Sequence, residues 1–241
     1  MLDNVRIVLV HTTHPGNIGA VARAMKNMCL TSLWLVAPRY FPHADATARA
    51  SGADDLLERA RVCATLGEAV ADCRLVVGAS ARSRTVEWTG FEPRECAAQL
   101  VREASTGPVA LVLGRESSGL TNEELDRCDR LVRIPANPDY SSLNVAMAVQ
   151  VLAYEILLAS RADTAPAAPD RVPATSAQME SFFGHLAQAV DDIGFTEGRH
   201  AEKLLRRLRR LFLRLRPDAD ELTILRGMLS AAQGRKSMRR E

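Results

Sequence analysis

Short, continuous apolar runs at 5–10, 32–36, 75–79, 109–113 and 131–134 constrain this chain more than any other feature of it. Each is bounded by loop-forming residues and is too short for a buried helix, so each reads as a strand buried on both faces. Between them lie stretches with helical spacing, at 17–28, 66–71, 94–104 and 122–127. Strand and helix in turn predict an α/β fold, a mostly parallel sheet with helices on both faces. Ligands of such sheets gather at the carboxyl ends of the strands. The unusual residues sit there, in the loops that begin at His14, Ala79 and Gly114 and in the segment that begins at Ile134. Four loops are therefore expected to converge on one site.

The segment 134–150 joins a strand end, a loop with two prolines and a helix start. Ser141 and Ser142 stand where a helix N-cap is expected, which would turn free backbone N–H groups toward the loop. For the two serines taken alone, a capped core helix is the favoured reading. The helix, 143–159, is apolar on nearly every face and interrupted only by Gln150, Tyr154 and Glu155. A surface helix shows one apolar stripe, so this one should be covered on two sides. It falls short of the roughly 20 apolar residues of a membrane span, and it contains a glutamate.

At 241 residues and 47% hydrophobic content the chain can bury one full core and a smaller second one. Residues 161–175 are rich in Pro and Ala and lack periodicity, so they read as a linker between an α/β domain, 1–160, and a small all-α domain, 176–241. In the latter, Phe182, Phe183, Leu186 and Val190 share one helical face, and Leu204, Leu205, Leu208, Leu211, Phe212 and Leu215 repeat the pattern. The net charge of +2 conceals an asymmetry: residues 197–241 contain 13 Lys or Arg against 6 Asp or Glu. Such a tail fits a solvated face, a membrane surface or an RNA backbone. Five cysteines, none in a CxxC pair or near a histidine at ligand spacing, predict buried free thiols and neither disulfides nor a zinc site. No basic, apolar leader opens the sequence, so a cytoplasmic location is expected.

Several chemistries are disfavoured. The loop at Gly16 and Gly19 has the wrong spacing for a dinucleotide fingerprint, and the second strand ends in Ala37 and Pro38 where an acid should hold the ribose. No Walker-type phosphate loop and no Ser/His/Asp set is present. His11 and His14 have no carboxylate close in sequence to orient either as a base.

Three ordered motifs remain: Asn17-x-Gly19-x-x-x-Arg23, Gly114-x-Glu116-x-x-Gly119 and Asn137-Pro-x-x-Ser141-Ser-Leu-Asn144-Val-Ala. In that order and at those separations they closely resemble the motifs of the SPOUT class of RNA 2′-O-methyltransferases. The agreement extends through 79–84, 93–96 and the basic tail, which narrows the resemblance to members acting on the tRNA anticodon loop, at cytidine or uridine 32. The resemblance implies a C-terminal trefoil knot, a homodimer, tRNA as partner, and S-adenosylmethionine as cofactor, with no membrane and no metal. Carried over residue by residue, it implies a cofactor site of Ala79, Ser80, Ala81, Gly114, Ile134, Ser141, Ser142 and Leu143. Arg23 is its catalytic candidate, with Asn17, Glu116 and Asn144 shaping the pocket. Arg82 and Arg84, with Arg206, Arg207, Arg210 and Arg214 of the tail, are the RNA-binding candidates. A ribosomal RNA target, or an RNA-binding protein without activity, would share much of this pattern.

Methyl transfer to a ribose 2′-oxygen needs that oxygen in line, its proton removed and nearby phosphate charge held still. A guanidinium is effectively always protonated, so Arg23 suits a phosphate clamp or a developing alkoxide better than general-base work. Proton acceptance would then fall to an RNA phosphate or to water.

Overall fold

The computed structural model describes residues 1–80, 90–162, 172–195 and 201–234. By its internal contacts the chain divides into two units, Met1–Ala168 and Pro169–Glu241.

In the first unit, β1 (Val5–Val10) leads into α1 (Pro15–Asn27), β2 (Ser32–Val36), α2 (Ala44–Ala50), α3 (Asp54–Glu58), β3 (Arg61–Cys63), α4 (Leu66–Val70) and β4 (Leu75–Ala79). Then follow β5 (Gly90–Phe91), α5 (Pro93–Ala104), β6 (Val109–Leu113), α6 (Asn122–Leu125), β7 (Arg130–Val132) and α7 (Val145–Arg161). The seven strands form one sheet in the order β3-β2-β1-β6-β4-β7-β5, and every pairing is parallel. The alternation of β1 shows why both faces must be covered. Val5, Ile7 and Leu9 enter the core shared with α1, α2, α5 and α7, whereas Val8 and Val10 enter a second core with Leu66, Val70 and Leu125. Arg6, on the second face, is buried yet paired: it grips Asp72 through two 2.6 Å bonds and lies 4.5 Å over the Trp34 ring.

Strand order reverses between β1 and β6, which run side by side from Val5 beside Val109 to Leu9 beside Leu113. A crevice opens outside the carboxyl ends of the strands at such a reversal. The loop after β1 and the loop after β6 flank it.

Two sequence expectations are corrected here. The N-cap of α7 is Asn144, whose side chain accepts from the Ala146 N–H at 2.9 Å; Ser141 and Ser142 lie before it in the loop. The cysteines are free, but only Cys73, Cys96 and Cys128 are buried, while Cys29 is exposed and Cys63 half-buried. Burial pushes the Cys73 and Cys96 thiols up to about 12. α7 itself is packed along Val145, Val149, Leu152 and Ile156, but Met147, Val151, Tyr154 and Leu158 form a bare stripe, with Met147 61% exposed. No helix among the described residues is long and apolar enough to cross a membrane.

The described part of the second unit forms α8 (Ser176–Asp192), α9 (Ala201–Leu215) and α10 (Ala219–Ala232). Thr175 with Gln178 and Asp218 with Glu221 form reciprocal capping boxes at the starts of α8 and α10. Phe182, Phe183, Leu186 and Val190 are buried, with Phe212 set edge-on to Phe182 at 4.9 Å. Leu204, Leu205 and Leu208 pack against this core as their spacing predicts, whereas Leu211 and Leu215 face outward. Most of the predicted linker lies outside the described residues.

Candidate active site

The β6–α6 loop is built by its glycines. A Cβ on Gly114 would lie 2.2 Å from the Gly119 carbonyl carbon, and Gly119 takes a φ of +70°, a region L side chains rarely adopt. Reciprocal backbone hydrogen bonds between Arg115 and Gly119, 2.8 and 3.2 Å, close the loop. Arg115 then fixes it to α6 through a two-pronged ion pair with Glu124, at 2.9 and 3.0 Å. Glu116 is left at the apex, directed at the loop after β1. It accepts from Asn17 Nδ2 at 2.9 Å, Thr13 Oγ1 at 3.0 Å, the Thr13 N–H at 3.2 Å and the His14 N–H at 3.3 Å.

Asn17 is held from its other end. Its Oδ1 accepts from Asn144 Nδ2 at 3.0 Å, and Asn144 Oδ1 caps α7. A single-direction chain of amides therefore runs from the start of α7 through Asn144 and Asn17 to the Glu116 carboxylate. It joins residues 127 and 99 positions apart in sequence. Burial raises the Glu116 pKa, but hydrogen bonds from Asn17, from its own backbone and from Thr13 outweigh it, so the carboxyl titrates below its ordinary value. At neutral pH it is an ionised anchor and a weak base.

Beside this chain lies a cavity. Its walls are Ala79 and Ser80 at the end of β4, the whole loop 113–120, Val132 and Ile134 after β7, Ser141, Ser142 and Leu143 ahead of α7, and Val145 and Ala148 on it. Gly114 and the other cofactor candidates are thus brought together, except Ala81, which lies outside the described residues with Arg82 and Arg84. The wall combines apolar side chains with serine hydroxyls, loop amides and one carboxylate. That lining, mostly apolar with a few polar groups, fits a small-molecule ligand.

Gly19 serves packing. A Cβ there would fall 1.9 Å from the Ala46 carbonyl oxygen, so α1 and α2 approach this closely only with glycine. Arg23, one turn further along α1, is exposed and lines neither the cavity nor the amide chain. Sequence reasoning missed Thr13, which gives Glu116 two of its four bonds, and the Arg115–Glu124 pair. Thr13 and Glu116 are 103 residues apart, and only strand order brings them together.

The family model described as the SpoU rRNA Methylase family matches residues 4–154, which includes every element of this site. The chain belongs to the SpoU methylase family. A second family model, for the C-terminal domain of tRNA methyltransferase TrmJ, matches residues 177–241. Among the relatives it matches, the tRNA (cytidine/uridine-2′-O-)-methyltransferase TrmJ of Cronobacter sakazakii is 50% identical over 98% of this chain and 99% of its own length. The crystal structure of TrmJ from Z. mobilis ZM4 superposes with a TM-score of 0.79 at 34% identity, covering 94% of this chain and 97% of that one. A probable methylase family protein from Haemophilus influenzae Rd KW20 gives a TM-score of 0.65 at 45% identity, covering 98% of each chain.

In the second unit, the predicted RNA-binding arginines differ in exposure. Arg207 and Arg214 are exposed, whereas Arg206 and Arg210 are half-buried, and Arg206 lies 3.9 Å from Glu202. Arg209 ion-pairs with Glu180 and stacks 4.4 Å over the Phe183 ring.

Proposed function

We propose that this chain transfers a methyl group from S-adenosylmethionine to the ribose 2′-oxygen of a cytidine or uridine in tRNA, at position 32 of the anticodon loop. The supporting observation is the ordered wall Asn144–Asn17–Glu116–Thr13, set between the cavity and the surface of α1. The TrmJ relative, matched over nearly its whole length, names the reaction. S-adenosylmethionine supplies a methyl carried on a sulfonium, open to attack by an oxygen. Ala79, Ser80, Gly114, Ile134, Ser141, Ser142 and Leu143, which line the cavity, would hold it, and Ala81 is carried over as a candidate from the resemblance.

Asn17 and Asn144 each use one amide N–H in the chain and keep a second for the incoming ribose. Glu116 fixes the rotation of both. Arg23, exposed on α1 and outside the cavity lining, clamps an RNA phosphate that the substrate brings to it, and the proton of the 2′-oxygen leaves to an RNA phosphate or water. Arg207 and Arg214, with Arg206 and Arg210 behind them, meet the tRNA backbone, as do Arg82 and Arg84.

The domain division expected from sequence, 1–160, a linker at 161–175 and 176–241, then separates chemistry from RNA capture, in a cytoplasmic enzyme. The bare stripe on α7 is where two copies meet as a homodimer, and the region of β7 and α7 forms the trefoil knot that the resemblance implies. Mass spectrometry of nucleosides from tRNA incubated with protein and S-adenosylmethionine tests the reading. A 2′-O-methylated pyrimidine mapped to position 32 supports it, whereas a base methyl or a product only on ribosomal RNA overturns it.

A further inference from the structure

Asn17 and Asn144 do not line the cavity but a separate shallow recess, and a second recess adjoins that one at His14. The second is lined by Thr13, His14, Arg39, Tyr40, His43 and Asp45. The first is lined by His14, Asn17, Arg49 and Asn144 among its residues, so it opens on the amides that the chain leaves available.

The backbone places the cationic groups. Arg39 donates its N–H to the Thr12 carbonyl at 3.0 Å, which ties the β2–α2 loop to the loop after β1. The Arg39 guanidinium lies 5.2 Å over the Tyr40 ring, and Tyr40 is still 49% exposed. The stem of Arg49 crosses α1 at Gly16, with its Cγ 3.4 Å from where a Cβ on Gly16 would stand. Both arginines are exposed, and neither forms an ion pair among the described residues. Asp45 is the carboxylate of this lining, and it sits beside His43, 3.7 Å from Nδ1.

Two exposed guanidiniums against one carboxylate, with an exposed aromatic ring, are arranged around the hollow that these two recesses form at His14, beside the proposed methyl-transfer site, and have the chemistry of a grip on an extruded nucleotide. Phosphate oxygens take the guanidinium groups, and a ring face takes a base whatever its identity. A single-stranded RNA loop offers both at once. We infer that this hollow cradles the loop nucleotides around the methylated ribose, with Arg39 and Arg49 on the phosphates and Tyr40 stacked on a base. The inference rests on the functional reading above and adds a binding surface outside the three motifs. It also puts phosphate contacts on the first unit itself, independent of the basic tail.

The test is tRNA affinity across a salt series for the full chain and for Arg39→Ala, Arg49→Ala, Tyr40→Leu and Tyr40→Phe, with kcat and KM for tRNA and calorimetry with S-adenosylmethionine. Each arginine variant should flatten the slope of log Kd against log salt by roughly 0.7–0.9, one phosphate's worth of released counterions, and raise KM several-fold. Tyr40→Leu should weaken binding by roughly five- to a hundred-fold with the slope unchanged, and Tyr40→Phe should restore it. Affinity for S-adenosylmethionine should stay at the wild-type value throughout. Unchanged slopes in both arginine variants, or a loss in kcat without one in KM, overturns the cradle. If wild-type protein methylates no tRNA ribose, the functional reading falls instead, and the salt slopes still decide the cradle because counterion release needs no catalysis.

Discussion

Replacing Glu116 by Gln tests whether the wall stands on one carboxylate. Its oxygens accept four hydrogen bonds, the shortest from Asn17 at 2.9 Å and Thr13 Oγ1 at 3.0 Å. A glutamine has one acceptor oxygen, so whichever way its amide turns, an NH2 group faces the Thr13 N–H or the Asn17 Nδ2. At least one bond is lost, and the survivors lose their charge assistance, which in a half-buried site sums to roughly 2–3 kcal/mol. Urea unfolding followed by tryptophan fluorescence measures this in the first unit alone, because both tryptophans, Trp34 and Trp88, belong to it. The pH dependence is a sharper check. The folded-state pKa of Glu116 is depressed, so its contribution is complete above the unfolded carboxylate range, about 4.3, and is lost as pH falls through the folded value. The gap between wild type and Glu116→Gln should therefore be full at pH 7 and shrink below pH ~4. A gap under about 0.5 kcal/mol at pH 7, or one unchanged on acidification, would refute the anchoring role.

Arg23→Ala should leave unfolding and S-adenosylmethionine affinity intact while single-turnover methyl transfer falls by about a hundredfold or more; equal losses in binding and rate would move Arg23 into the cofactor site. Gly19→Ala forces α1 away from the Ala46 carbonyl and should cost about 1–3 kcal/mol or more in urea unfolding, with a wild-type midpoint contradicting the close approach. Val151→Arg puts a charge into the bare stripe of α7 and should shift sedimentation from dimer to monomer, unless that stripe is not the contact. A chain ending at Arg161 should lose the part of the salt dependence of tRNA binding that Arg206, Arg207, Arg210 and Arg214 supply and keep the part supplied by the first unit; an unchanged slope would leave the arginines of α9 as a solvated face.

The central strands were legible because burial on both faces leaves an unbroken apolar run, as in Val109–Leu113. β3 was not legible: it is a three-residue edge strand, with Arg61 and Val62 exposed, and shows no such run. α2 escaped notice because its buried positions are Ala46 and Ala50, small residues chosen for the close approach to Gly19. The cap of α7 was misplaced since Ser and Asn serve equally well there, and only the bond to Ala146 distinguishes them. Cofactor candidates came from motif resemblance, and the cavity collects those that are described. The partners of Glu116 could not be read from spacing, because Thr13 and Asn17 reach it only once β1 and β6 lie side by side.

The strand order also has a consequence for synthesis. As the chain leaves the ribosome, β2 and β3 can add to one side of β1 as soon as they appear. The other side of β1, starting at Val5, has no partner until Val109 and its neighbours emerge about a hundred residues later. At typical elongation rates that is a delay of roughly 5–20 s, during which the nascent chain presents an open, apolar strand edge. Nascent chains arrested before residue 109 should therefore be captured by holdase chaperones far more strongly than chains arrested well beyond residue 113, a contrast that ribosome pull-down can measure.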